Sequence, residues 1–232
     1  MYPIAFALDH ESENRNRLTT FFRGIVAIPW EIVAGIWGIA AEVVAVIAWF
    51  ALLFTGRYPQ GMYDFNAKYL RMATRVNGFY LLASDEWPPF HGDPDDAYPL
   101  RVGIAPPKAE YSRMKVLFRL IVGIPVMFLA FIQGLIATVI AIVAWFAILF
   151  TGRFSEGLYS PLRAALAYTT RASAYFLLMT EDYPPFSYDE AVEQPQLASG
   201  SGPGIAAPAP QEEERPPEPP PGPPPGPPPG QP

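Results

Sequence analysis

Residues 28–59 read IPWEIVAGIWGIAAEVVAVIAWFALLFTGRYP, and residues 124–155 read IPVMFLAFIQGLIATVIAIVAWFAILFTGRFS. Between Arg23 and Arg57 there is no Lys or Arg, and only Glu31 and Glu42 are acidic. Between Arg119 and Arg153 there is no charge at all. A helix needs roughly 20 apolar residues to cross about 30 Å of hydrocarbon, and each block exceeds that length. A soluble core helix has no use for so long an uncharged run, so the chain reads as an integral membrane protein.

The surroundings of these blocks repeat. Tyr2-Pro3 recurs as Tyr98-Pro99, an offset of 98 − 2 = 96 residues, and the offset holds without a gap. Arg17, Arg23 and Pro29 match Arg113, Arg119 and Pro125. Ala48-Trp49-Phe50-Ala51 matches Ala144-Trp145-Phe146-Ala147, and Phe54-Thr55-Gly56-Arg57 matches Phe150-Thr151-Gly152-Arg153. Each unit closes on Pro-Pro-Phe, at Pro88-Pro89-Phe90 and Pro184-Pro185-Phe186. The chain is a duplication: a first membrane repeat over residues 1–90, a linker over 91–97 and a second repeat over 98–186. Self-similarity of this kind defines the structural unit before any single element is assigned.

The composition agrees. Of 232 residues, 50% are hydrophobic and 16% charged, against about a quarter charged in an average soluble protein. The formal net charge of −6 argues against a nucleic-acid partner, because phosphate binding needs clustered Lys and Arg. The absence of Cys removes disulfides, thiol nucleophiles and thiolate metal sites. The N-terminus, with Asp9, Glu11 and Glu13 before the first block, lacks the layout of a cleaved signal peptide. Residues 187–232 turn to Pro, Gly, Ala, Ser and Glu. Such a segment cannot bury enough apolar surface to order itself, so a disordered, proline-rich tail is expected. It reads as a tether or as a docking segment for a protein partner.

Within each unit, Tyr2 to Leu8 and Tyr98 to Ile104 read as short strands. Arg17 and Arg23 are placed to snorkel toward headgroups, Pro29 to kink the helix or mark its entry, and Gly56 to cap the helix in a left-handed conformation. In the segment Gly61 to Ser84, Asp64, Lys68, Arg71 and Arg75 fall on one helical stripe. That pattern predicts an amphipathic helix at the interface, charge toward water.

The fold class is all-α and membrane-embedded. Equal basic flanks in both copies predict two parallel tandem repeats, each crossing the bilayer an even number of times. Two arrangements satisfy this. In one, each apolar block is a helical hairpin turning near Gly38 and Gly134, with an interfacial helix after it. In the other, the block is one long bent transmembrane helix and the following segment returns. The charged stripe favours the hairpin, and the lack of any polar loop around Gly35–Ala41 favours the long helix; the hairpin is taken as the expectation.

An Arg-rich start, Ile28-Pro29, the Ala-Trp-Phe-Ala and Phe-Thr-Gly-Arg-Tyr-Pro runs, Gly61, Arg75 and the closing Pro-Pro-Phe together resemble the bacterial membrane domain of unknown function 4389. The resemblance covers residues 2–90 and 98–186. Ser155 replaces Pro in the second copy, and Trp30 and Val126 stand where the family commonly has His. The resemblance implies an integral membrane protein of tandem units and supplies no catalytic residues.

Candidate sites are few. Glu31 and Glu42 are ionisable groups inside an apolar block and so candidates for an intramembrane site, although Met127 and Thr138 replace them in the second copy. Arg57, Arg75, Arg153 and Arg171 recur in both copies and are candidate contacts for lipid headgroups or topology anchors. His10 and His91, the two histidines, read as solvated loop residues. No cofactor or metal constellation is legible. The expectation is a non-enzymatic, multi-pass component of the plasma membrane with its tail in the cytoplasm, contacting lipids and assembling a partner. The alternative is a small transport or lipid-translocating protein with a pathway between the repeats.

Overall fold

A computed structural model describes residues 2–10 and 15–186. The tail, and the disorder and partner docking expected of it, lie outside the described residues. The elements run β1 (Ile4–Leu8), α1 (Arg17–Val26), α2 (Ile28–Thr55), α3 (Gln60–Tyr80), β2 (Leu100–Ile104), α4 (Arg113–Leu117), α5 (Arg119–Val122), α6 (Ile124–Thr151) and α7 (Glu156–Phe176).

Local sequence sets most boundaries. Asn16 caps α1, its side chain accepting from the Thr19 amide. At Ala27 the amide bonds the carbonyls of both Arg23 and Ile25, and α2 restarts with Pro29 in its first turn. Proline is tolerated there because its missing N–H has no partner to lose. The second copy breaks this region twice, at Phe118 and Gly123, giving α4 and α5 in place of α1. Both long helices end on a left-handed glycine, Gly56 at φ 71° and Gly152 at φ 72°, as the sequence predicts.

The hairpin expectation is overturned in favour of the alternative of one long helix per block. Residues 28–55 form one continuous helix through Gly38, and residues 124–151 do the same through Gly134. Gly38 is not a turn; it makes room for the ring of Tyr69, whose hydroxyl would lie 2.9 Å from an added Cβ. With apolar residues on every side, the helix has no polar segment at which to reverse.

The expectation that the whole charged stripe of the next helix faces outward is also corrected. α3 runs back along α2, with Trp30 near Phe79 and Trp37 near Phe65 and Tyr69. Most of its faces are buried. The charged stripe divides: Asp64 and Lys68 point outward, whereas Arg71 and Arg75 are buried. The cause lies in the other copy, because β2 lies on that stripe and the Arg71 Nε donates to the Val102 carbonyl at 3.1 Å.

The copies are interleaved. β1 pairs antiparallel with β2, and Phe6 faces Val102, its own counterpart at an offset of 96. Thr74 likewise meets its counterpart Thr170, oxygen to oxygen at 3.4 Å. β2 of the second copy lies on α3 and β1 of the first on α7; α1 packs on α6, and α4 on α2. The indole of Trp145 donates to the Thr20 carbonyl and that of Trp49 to the Val116 carbonyl, both at 2.9 Å. One continuous core joins the strands, α2, α3, α6 and α7.

The outside of the long helices is different. In their most apolar stretches only 28% of α2 and 11% of α6 is buried, and Ile36, Ile39, Phe54, Phe128, Phe131 and Phe150 are all exposed. The core helix of a water-soluble domain covers such residues. Both helices are long and apolar enough to cross a membrane.

Candidate functional site

The sequence nominated repeated arginines and two glutamates, and the structure separates them into three settings. The first is the corner after each long helix. Thr55 Oγ1 donates to the Ala51 carbonyl at 2.7 Å and accepts from the Arg57 amide at 3.1 Å. Thr151 repeats this with Ala147 and Arg153, at 2.6 and 3.1 Å. The other copy closes each corner, with the Tyr111 amide donating to the Gly56 carbonyl and the Arg15 amide to that of Gly152. Arg113 lies against Gly56 and Arg17 against Gly152. Each corner therefore presents two exposed arginines, Arg57 with Arg113 and Arg153 with Arg17. A helix C-terminus favours such cations through its dipole.

The second setting is the interior. Arg75 and Arg171 are only 1% and 2% exposed, so they do not stand where a headgroup could reach them. Their guanidinium carbons lie 5.3 Å from the Tyr98 ring and 5.8 Å from the Tyr2 ring. Each tyrosine belongs to the opposite copy, and the contact locks one copy onto the other. Burial lowers the pKa of Arg75, and Asp95 and Tyr98 oppose that shift.

Arg23 corrects a second expectation. It does not snorkel; it is 2% exposed and donates to the carbonyls of Phe79 and Ser84 at 2.6 and 2.7 Å and to Asp85 at 2.5 Å. Its guanidinium carbon lies 4.3 Å from the Phe79 ring. Arg119 repeats the cage on the carbonyls of Tyr175 and Thr180 and the Tyr175 ring. These arginines add a second hydrogen bond to the carbonyls of Phe79 and Tyr175, which also accept from the Leu82 and Leu178 amides, and reach the Ser84 and Thr180 carbonyls beyond the ends of α3 and α7. The signal was present in the sequence, since Arg23 and Arg119 recur in register, but a flanking arginine reads as a membrane anchor unless its distant carbonyl partners are known.

The third setting is the cleft between the copies. Glu42 lines a cavity of about 630 Å³ with Tyr69, Thr74, Asn77, Thr170 and Ser173. The hydroxyls of Thr74, Thr170 and Ser173 all donate to carbonyls of their own helices. Glu31 is exposed in the first turn of α2 and lies beside Trp30, whose indole donates to the Pro88 carbonyl at 2.6 Å and stacks on Phe90. The Pro-Pro-Phe motif thus pins the end of the first copy to the start of α2.

The histidines differ from each other. His91 is exposed and lies 3.7 Å from Asp93. His10 is half-buried, stacked on Tyr159, and contacts Glu156 at 2.6 Å and the Phe154 carbonyl at 3.1 Å. Among the described residues no group of three or more His, Cys, Asp or Glu is placed to hold a metal ion.

These features define a class: an interlocked pair of helical repeats whose two longest helices leave their apolar faces uncovered. The chain belongs to the family of the domain of unknown function DUF4389, which matches twice, at residues 17–91 and 113–187. The two matches are 96 residues apart at both ends (113 − 17 and 187 − 91), the offset of the internal repeat, and they begin at α1 and α4, leaving the strands outside. No curated protein and no solved structure matches the chain.

Proposed function

We propose that the protein is a non-enzymatic component of the plasma membrane, embedded through α2 and α6, that organises lipid around its basic corners and reaches a protein partner with its cytoplasmic tail. The observation that carries this reading is the uncovered apolar exterior of α2 and α6. Exposed Arg57 and Arg153 support the lipid contact, since a cation near an anionic surface gains about 1 kcal/mol. The composition of residues 187–232 supports the tether.

The test is association with vesicles of defined composition. The chain should remain with membranes after alkaline extraction and should recruit anionic over zwitterionic lipid. Arg57→Ala with Arg153→Ala should reduce that preference several-fold and leave extraction unchanged. Release into the aqueous phase without detergent would remove the proposal. Removing residues 200–232 should shorten the list of co-purifying proteins.

One observation favours a second reading, translocation of a lipid or small solute: the cleft between the copies carries the single carboxylate of Glu42. Flux in liposomes that Glu42→Gln abolishes would favour it over the first.

A further inference from the structure

We infer that α2 and α6 lie flat in one leaflet of the bilayer and do not cross it, so that the docking surface for the membrane is the apolar exterior of α1, α2 and α6 and its occupant is a single anionic monolayer. The inference rests on the membrane embedding proposed above and specifies its geometry.

The first observation concerns depth. Tyr69 packs on Gly38, close to the middle of α2. The residue before it, Lys68, forms an ion pair with Asp93 at 2.8 Å, and the two side chains are 51% and 52% exposed. The hydrogen bond from Lys68 lowers the pKa of Asp93. If α2 crossed the membrane, this open ion pair, with exposed Asp64 beside it, would stand near the bilayer midplane, where charged groups are expelled or shielded inside protein. Laid flat, α2 sinks into hydrocarbon while the pair faces water.

The second observation concerns symmetry. Equivalent strands pair antiparallel about Phe6 and Val102, so the axis that exchanges the copies stands perpendicular to the strand ribbon. α3 runs against β2, with Gly78 beside Leu100, Arg71 at Val102 and Tyr63 at Ala105. α2 runs against α3 in turn. The long helices are therefore transverse to the axis and point in opposite directions. Crossing helices would send the Arg57 and Arg153 corners to opposite faces, against the tendency of basic residues to stay on the cytoplasmic side. Points exchanged by the axis share one height along it. With the axis along the membrane normal, both corners, with Arg113 and Arg17, meet one headgroup layer, and their charge matches its phosphates.

Length adds a third argument. At about 1.5 Å per residue the 28 residues of α2 exceed the roughly 30 Å of hydrocarbon, a mismatch that vanishes when the helix lies flat. Apolar residues are exposed on α1 as well, at Leu18, Phe21 and Ile25.

Single cysteines introduced into this Cys-free chain test the geometry. Arg57→Cys, Arg153→Cys, Lys68→Cys and Ile36→Cys would be treated with a membrane-impermeant maleimide in sealed vesicles of each sidedness, with Arg113→Cys and Arg17→Cys as second probes of the corners. All but Ile36→Cys should label from one and the same side, and Ile36→Cys only after detergent. Labelling of the Arg57 and Arg153 positions from opposite sides, or a Lys68→Cys that reacts only after detergent, overturns the inference while the chain stays membrane-bound. A chain left in the supernatant overturns the embedding itself, so the two failures are distinct.

Discussion

At the scale of single residues, the stability of the fold rests on arginines that are out of contact with water. Arg23 gathers two backbone carbonyls, the Asp85 carboxylate and a phenyl ring. Burial lowers its pKa, and the Asp85 charge works in the opposite direction. Arg23→Met keeps the aliphatic volume, removes the Arg23 donor from the Ser84 carbonyl and leaves the Phe79 carbonyl with the Leu82 amide. Removing one partner of a buried, hydrogen-bonded charge costs about 3 kcal/mol, so the melting temperature in detergent should fall clearly. Arg17→Ala, at an exposed position, should change stability by less than about 0.5 kcal/mol. Equal effects of the two substitutions would mean that the cage contributes nothing. Leu82 and Leu178 show a related trade at φ 64°. A left-handed leucine costs roughly 1–2 kcal/mol. Both side chains are buried in the core, which offsets that strain where a glycine would bury nothing.

At the scale of elements, α2 and α6 have the same length and the same caps, yet they use their glycines differently. An added side chain at Gly38 meets Tyr69 of α3, whereas nothing lies within 4 Å of Gly134. Gly38→Leu should wedge α3 away from α2 and destabilise the protein by about 1–3 kcal/mol. Gly134→Leu should leave the thermal melt within error of the parent. A melt equally lowered by both would show that packing against Tyr69 is not the cause. α3 is also where sequence reading fails most instructively. Its stripe of Asp64, Lys68, Arg71 and Arg75 is a valid helical period, and the helix exists. Periodicity reports that these side chains share a face and is silent on whether that face meets water or a strand about 30 residues further along the chain.

At the scale of the whole molecule, neither copy is complete. The first lends β1 and α1 to the second and receives β2 and α4 in return, and the Arg75–Tyr98 and Arg171–Tyr2 contacts exchange partners in the same way. Residues 98–186 alone would leave α6 and α7 without α1 and β1. Such a fragment should pair with itself, Val102 against Val102, and behave as a dimer in detergent. Light scattering that shows a folded monomer would contradict the interlocked architecture. Tandem duplication then amounts to a covalent form of that dimer, which removes the entropy of bringing two chains together.

The sequence by itself determined the duplication, the offset of 96, the two apolar helices with their glycine caps, and the strands that precede them. All of these depend on composition and on neighbours a few residues apart, and local physics decides them. Only the tertiary structure decided that Arg23, Arg75, Arg119 and Arg171 point inward and that each strand serves the other copy. The inward arginines and the exchanged strands depend on partners 23 to 169 residues away (98 − 75 and 171 − 2). An arginine looks the same in the sequence whether its charge is met by water, by lipid phosphate or by backbone carbonyls at the end of a distant helix.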